Sequence, residues 1–127
     1  MYREETHKIE VAVTPEYLLD KSSPEAKRFV FAYHVSITNK SDFEVQLLGR
    51  HWIITDGQGE VQEVKGDGVV GEQPKLKPGQ SHQYSSFCPL TTPTGNMRGT
   101  FQMLSHKGSK FEIKIPLFFL RDAGLLH

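Results

Sequence analysis

The sequence has a single cysteine and no long apolar run. Cys88 stands alone, so no disulfide can form within the chain. The longest apolar run, Pro116 to Leu120, is far shorter than the roughly 20 residues that cross a bilayer. The segment from Met1 to Glu5 also lacks the apolar stretch of a secretory signal peptide. These absences predict a cytoplasmic protein with no membrane insertion, stabilised by its apolar core alone.

The sequence also lacks a net charge and the residue spacing of a metal-binding motif. Fifteen basic and fifteen acidic residues cancel, so no nucleic-acid partner is predicted from a global positive field. None of the histidines stands at the short spacing of a metal-binding pair. The six are His7, His34, His51, His82, His106 and His127. Four carboxylates around one hairpin, Asp56, Glu60, Glu63 and Asp67, are more simply explained as solvated surface groups. We therefore predict no metal site and no cofactor.

What the chain does have is alternation of apolar and polar residues. From Phe29 to Thr38, every second residue is Phe, Tyr, Val or Ile. A period of two places successive side chains on opposite faces of a β-strand. The other alternating or apolar runs are 9–13, 43–47, 50–54, 61–64, 81–87, 97–103 and 111–117. This pattern predicts about seven or eight antiparallel strands.

Turn residues separate these runs at regular intervals. Asp56-Gly57, for example, lies between two strand-like runs, as in a β-hairpin. The one helix-start signal, Ser23-Pro24, introduces a segment too short for more than a turn. Strands at spacings of roughly 8 to 12 residues predict an all-β, immunoglobulin or fibronectin type III-like antiparallel β-sandwich. A small closed barrel is the alternative. We expect one domain over residues 1–127.

One phosphate-binding pattern occurs, a G-x-G-x-x-G at Gly66, Gly68 and Gly71. In dinucleotide-binding folds this pattern joins a buried parallel strand to a helix. Here Pro74 and Pro78 follow closely and are incompatible with such a helix. A glycine-rich loop between two strands is therefore the main interpretation.

The alternative is that this loop binds an anion through converging backbone N–H groups. The nearest cation is Lys65, with Lys75 and Lys77 further along the chain. Nucleotide or pyrophosphate, with or without a divalent cation, is the ligand class that this alternative predicts. A β-branched residue in place of Gly68 is expected to distort such a cradle while the core stays folded.

No residue set for catalysis stands out. An activated serine or cysteine needs a neighbouring base and usually lies on a shaped turn, which nothing in the sequence marks. Cys88, between Phe87 and Pro89, is expected to be a buried and inert thiol. The sequence therefore predicts a protein that binds a partner and is not an enzyme.

Two adjacent aromatic residues, Phe118 and Phe119, indicate a contact surface. Neighbouring residues of a strand point to opposite faces, so one of the two should lie outside the core. Exposed aromatics beside a sheet edge are typical of an interface, either in a homodimer or with a partner protein. The alternative is that the C-terminal tail folds over them.

Several longer segments together resemble the ApaG family in its small bacterial form. They are Arg50–Asp56, Gly66–Pro74, Leu76–Gly79, Tyr84–Ser86, Leu90–Gly99 and Phe111–Leu120. The resemblance covers nearly the whole chain and implies a fibronectin type III-like sandwich. It also implies a link to cobalt resistance and magnesium efflux, under the alternative family name CorD, and a role in protein contacts in larger eukaryotic relatives. It supplies no catalytic residue.

Overall fold

The structure, a computed structural model, describes residues 1–122. Strands make up most of this part of the chain. Two single-turn 3-10 segments, Leu19–Lys21 and Pro24–Ala26, lie between the second and third strands. The strands are β1 (Tyr2–Thr6), β2 (Ile9–Tyr17), β3 (Phe29–Asn39), β4 (Val45–Asp56), β5 (Val61–Asp67), β6 (Lys75–Leu76), β7 (Ser81–Leu90), β8 (Thr94–Leu104) and β9 (Lys110–Arg121). No helix within residues 1–122 is long and apolar enough to cross a membrane.

The strands form two antiparallel sheets, which confirms the predicted sandwich. The first sheet has the order β1-β2-β3-β7, and the second has the order β5-β4-β8-β9, with the two-residue strand β6 also paired to β4. On one side the sheets are tied together where the Lys114 backbone N–H donates to Thr6 Oγ1 at 3.1 Å. On the other side, β7 and β5 are the two edge strands.

Four aromatic side chains join the two sheets in the core. Trp52 of β4 lies 5.2 Å from Tyr33 of the first sheet, measured between ring centroids, in an edge-on contact. It also meets Phe101 at 6.2 Å and Phe118 at 5.9 Å, both within the second sheet. All four side chains are buried. Such edge-to-face pairs stabilise a core beyond the effect of the buried area alone.

The prediction that Phe118 belongs to a contact surface is wrong. Phe118 is 0% exposed and packs on Tyr2, Tyr33 and Trp52, because its position on β9 points into the sandwich. Phe119 points the other way and is 40% exposed. The alternative, that the C-terminal tail covers this surface, concerns residues 123–127, which lie outside the described part.

A buried asparagine fixes the turn that leads into β4. Asn39 is 0% exposed, and its side-chain amide donates to the carbonyl oxygens of Phe43 and Leu76 at 2.8 and 2.9 Å. Its side-chain oxygen accepts from the backbone N–H of Ser41 at 3.0 Å. A buried amide with its hydrogen bonds made costs little, whereas an apolar replacement would leave two carbonyls unpaired. Asn39 therefore holds β6 beside the β3–β4 turn.

Cys88 provides a test of the core. The side chain is 4% exposed, and burial raises the pKa of its thiol from 9.0 to about 11. The native protein should therefore react very slowly with a thiol reagent at pH 8, and reaction should become rapid in denaturant. The Cys88 thiol ionises at a lower pH in the unfolded chain than in the folded chain. The free energy of unfolding should therefore fall as pH rises above about 8.5. Rapid reaction of the native thiol at pH 8 would contradict this packing.

A candidate binding face on the second sheet

The outward face of the second sheet carries a trough made of two grooves. One groove has a volume of about 590 Å³ and the other about 430 Å³. His51 of β4 lines both of them, so they meet at this residue. Strands β4 and β8 pack closely at the floor of the trough. A side chain at Gly99 of β8 would collide with the His51 carbonyl oxygen. We use the name trough for this joined surface.

Cationic side chains outnumber acidic ones along the trough. Four cationic and three acidic side chains line it: Lys65, Arg98, Lys110 and Lys114 against Glu4, Asp67 and Glu112. Glu112 accepts hydrogen bonds from Thr100 at 3.1 Å and from Gln102 at 3.2 Å. At the centre, His51 Nε2 lies 2.9 Å from Glu63 Oε1. On a chain with no net charge, this is a locally basic surface.

The end of this face nearer the C-terminus is apolar. Leu117 lines the trough together with Ile53 and is 48% exposed. Phe119 follows on the same strand, and the guanidinium carbon of Arg121 lies 5.3 Å from its ring centroid. An exposed aromatic beside an arginine is a common composition at the centre of protein interfaces. Of the predicted pair, Phe119 is therefore the residue available for contact.

The predicted anion loop divides into two parts in the structure. Lys65 and Gly66 line the trough. Gly68 is buried, and its backbone N–H donates to the Leu48 carbonyl at 2.7 Å. Gly71 is exposed at the tip of the following turn. The four glycine-loop residues therefore do not converge on one point.

The turn after Gly68 uses its own backbone donors. Val69 N–H donates to the Glu72 carbonyl at 2.8 Å, and Glu72 N–H donates back at 3.0 Å. Val70 and Gly71, between them, both have positive φ, at 48° and 78°. A β-branched residue in this conformation is strained. The loop is thus a tight reversal held by hydrogen bonds between its own residues.

Arg50 borders the site, and the sequence did not single it out. It is two positions from the buried Trp52 and so lies on the inward side of β4. Its guanidinium lies against Gly66 and donates from Nη1 to the carbonyl oxygens of Asp67 and Gly68, each at 3.0 Å. Within residues 1–122 it forms no ion pair, so its charge is not neutralised by a carboxylate. A charged residue two positions before a buried tryptophan was the signal that could have identified it.

The described histidines lie apart from one another, and each contacts different residues. His82 lies 3.6 Å from a Glu72 carboxylate oxygen, and His106 stacks on Phe43 with ring centroids 4.1 Å apart. No three or more His, Cys, Asp or Glu side chains come together to hold a metal ion in the described residues.

A Ser–His–Glu chain of hydrogen bonds crosses the outward face of the first sheet. His34 Nδ1 lies 2.6 Å from Ser85 Oγ, and His34 Nε2 lies 2.9 Å from Glu16 Oε1. Sequence spacing could not show it, because the three residues belong to three strands. Ser85 lies in the middle of a strand on an open face, whereas hydrolases place the serine beside converging backbone N–H groups. We interpret the chain as a polar ladder across the strands.

Comparison with known proteins gives full-length matches. A family model described as the ApaG domain matches residues 19–105. Protein ApaG of Mesorhizobium japonicum is 54% identical over 124 residues, covering 98% of this chain and 95% of that protein. Protein ApaG of Aromatoleum aromaticum is 47% identical over the whole of both chains. Among solved structures, a Bordetella pertussis protein named ApaA is 49% identical with a TM-score of 0.89, covering 91% of this chain and 94% of that one.

Gly68 tests whether the glycine motif is structural. Its φ is 65°, and an added Cβ would collide with the Glu72 carbonyl, so a substitution there should cost stability as well as distort the loop. That the core stays folded with a β-branched residue at Gly68 remains a prediction. Gly71 is the matched control, since its φ is 78° but nothing lies within 4 Å of an added Cβ. Gly71→Ala should cost about 1–2 kcal/mol of unfolding free energy. Gly68→Ala should cost clearly more, roughly 3 kcal/mol, as measured by urea unfolding. Equal losses would show that the close approach is not a constraint.

Proposed function

The chain belongs to the ApaG domain family, and from this membership we propose that residues 1–127 form a cytoplasmic, non-enzymatic protein-interaction module. The observation that carries the proposal is the trough, whose basic groove meets the groove lined by the exposed Leu117, together with the exposed Phe119 that follows Leu117 on the same side of β9. Binding on a sheet face needs no movement of the core. The scaffold therefore presents a preformed surface.

The composition of the trough indicates the kind of partner. An apolar end beside Arg98 and Arg121 suits a large apolar side chain of the partner, which would be desolvated there. The excess of cations along the rest of the trough suits acidic residues, which would guide encounter and set orientation more than they would add affinity. We therefore propose an acidic segment that carries at least one large apolar residue.

This proposal also accounts for the ion-related role that the family resemblance implies. A part in cobalt or magnesium homeostasis would then be exercised through a protein partner, with no ion held by the trough itself. The ladder of Glu16, His34 and Ser85 lies on the opposite sheet and is not part of the proposed partner surface.

Phe119 gives the direct test. Recovery of bound proteins from native lysate should fall at least about tenfold for Phe119→Ser, because a buried aromatic anchor is worth more than 1 kcal/mol at an interface. Phe43→Ser is the control, since Phe43 is 56% exposed and stacks on His106, away from the apolar end formed by Leu117 and Phe119. Quantitative mass spectrometry of the recovered proteins gives the comparison, with urea midpoints to confirm that both variants fold. Equal losses for both variants would contradict the proposal.

A second candidate function is binding of a nucleotide or pyrophosphate at the basic end of the trough. The observation in its favour is that Lys65 and Lys110 line one groove together with Gly66. Phosphate oxygens would be held by these side chains, since the loop donors at Gly68 and Val69 already have partners. A divalent cation could accompany such a ligand on its own phosphates.

Amide NMR shifts measured on addition of ATP or pyrophosphate, with and without Mg²⁺, separate the two candidates. Binding at this groove should move signals of residues 48–51, 65–67 and 110–112 and be weakened several-fold by Lys65→Gln. Lys27→Gln, on an exposed turn away from the trough, should leave it unchanged. Signals that do not move at millimolar nucleotide would remove this candidate and leave the first proposal untouched.

A further inference from the structure

Long edge strands of a sheet carry unpaired backbone groups, and most edges of this fold are protected. Protection normally comes from charged side chains, proline, a bulge or a short strand, all of which discourage pairing with another chain. β1 is five residues long and charged, and β5 and β9 are charged, with a bulge in β9. The charged or proline residues on these three edges are Arg3, Glu4, Glu5, Glu63, Lys65, Asp67, Lys110, Glu112, Lys114, Pro116 and Arg121.

β7 lacks these protections. It is ten residues long and pairs with β3 in one unbroken register, from Phe29 opposite Leu90 to Thr38 opposite Ser81. It contains no Lys, Arg, Asp or Glu, and its one proline, Pro89, lies near the end. No strand in the described part of the chain pairs with its other side. β7 is therefore a regular, uncharged template for one further strand.

We propose that this edge pairs with the same edge of a second copy of the chain, antiparallel and centred on Tyr84. In that register Ser81 would face Phe87 of the second copy, and Gln83 would face Ser85. An isologous contact must be complementary to itself. A strand without Lys, Arg, Asp or Glu meets this condition in every register, because no two such charges of its own side chains face each other. Pro89 has no N–H to donate, which limits the pairing to residues 81–87.

The contact would join two four-stranded sheets into one of eight strands. Phe87 is 59% exposed in the single chain and would be covered in part by the second strand. Seven paired residues bury less than the roughly 1,200–2,000 Å² of a standard stable interface. The dimer should therefore be weak and concentration-dependent, with a dissociation constant on the order of micromolar or weaker.

Sedimentation velocity under reducing conditions tests the dimer, from about 1 µM to about 1 mM protein, the range over which weak dimers form. The mass should rise from 14.4 kDa towards twice that value. Hydrogen exchange at both ends of the range should show added amide protection confined to residues 81–87. A protein that stays monomeric throughout, or a dimer whose added protection lies on another strand, would overturn the proposal.

Gln83→Lys gives the matched variant test. In the proposed register the two introduced lysines would be diagonal neighbours across the strand pair, so the dimer should weaken at least about tenfold. Gln62→Lys places the same change at an exposed position of the other edge strand, β5, and should leave the mass unchanged. Equal effects of the two variants, or no effect of Gln83→Lys, would overturn the proposal.

Discussion

The packing of Trp52 between the sheets is the interaction on which the rest of the structure depends. It touches Tyr33 across the sandwich and Phe118 beside it. Because side chains alternate along a strand, an inward Trp52 places His51 and Ile53 on the outward face, where they line the trough. Each such aromatic pair contributes about 0.5–1.5 kcal/mol beyond its buried area. The proposed binding face is therefore oriented by the same contacts that hold the sheets together.

The sandwich could be predicted because its strands bury one face each, which alternation reports directly. Strand β4 shows the limit of that signal. Its register shifts between Leu47 and Gly49, so the alternation of apolar and polar residues changes phase there. The sequence pattern therefore predicts two runs, 43–47 and 50–54, within what is one strand. The first of these runs groups Phe43 with the buried Val45 and Leu47 by alternation, yet Phe43 is 56% exposed and stacks on His106. Only the pairing with β8 shows where the bulge lies.

The candidate site could be predicted only in part, because the trough is assembled from four strands. Lys65 and Gly66 were identified through a glycine pattern, yet Lys65 belongs to the site for another reason, the outward direction of its side chain on β5. Gly68 is required by local backbone geometry, because its φ is positive and a carbonyl lies close to it. Glycine is therefore needed there without any ligand. Residues that line the same groove, such as His51 and Lys110, are far apart in sequence, and no local pattern marks them as neighbours.

The trough and the β7 edge lie on different sheets, so the use of one leaves the other open. Pairing two β7 strands edge to edge places the symmetry axis perpendicular to the joined sheet, because antiparallel strands within one sheet are related in that way. Both second sheets then lie on the same side of the joined sheet. Two troughs would face one partner surface together, and a partner with two acidic segments would gain from the raised effective concentration. A weak dimer of a weak binder can in this way give tight attachment.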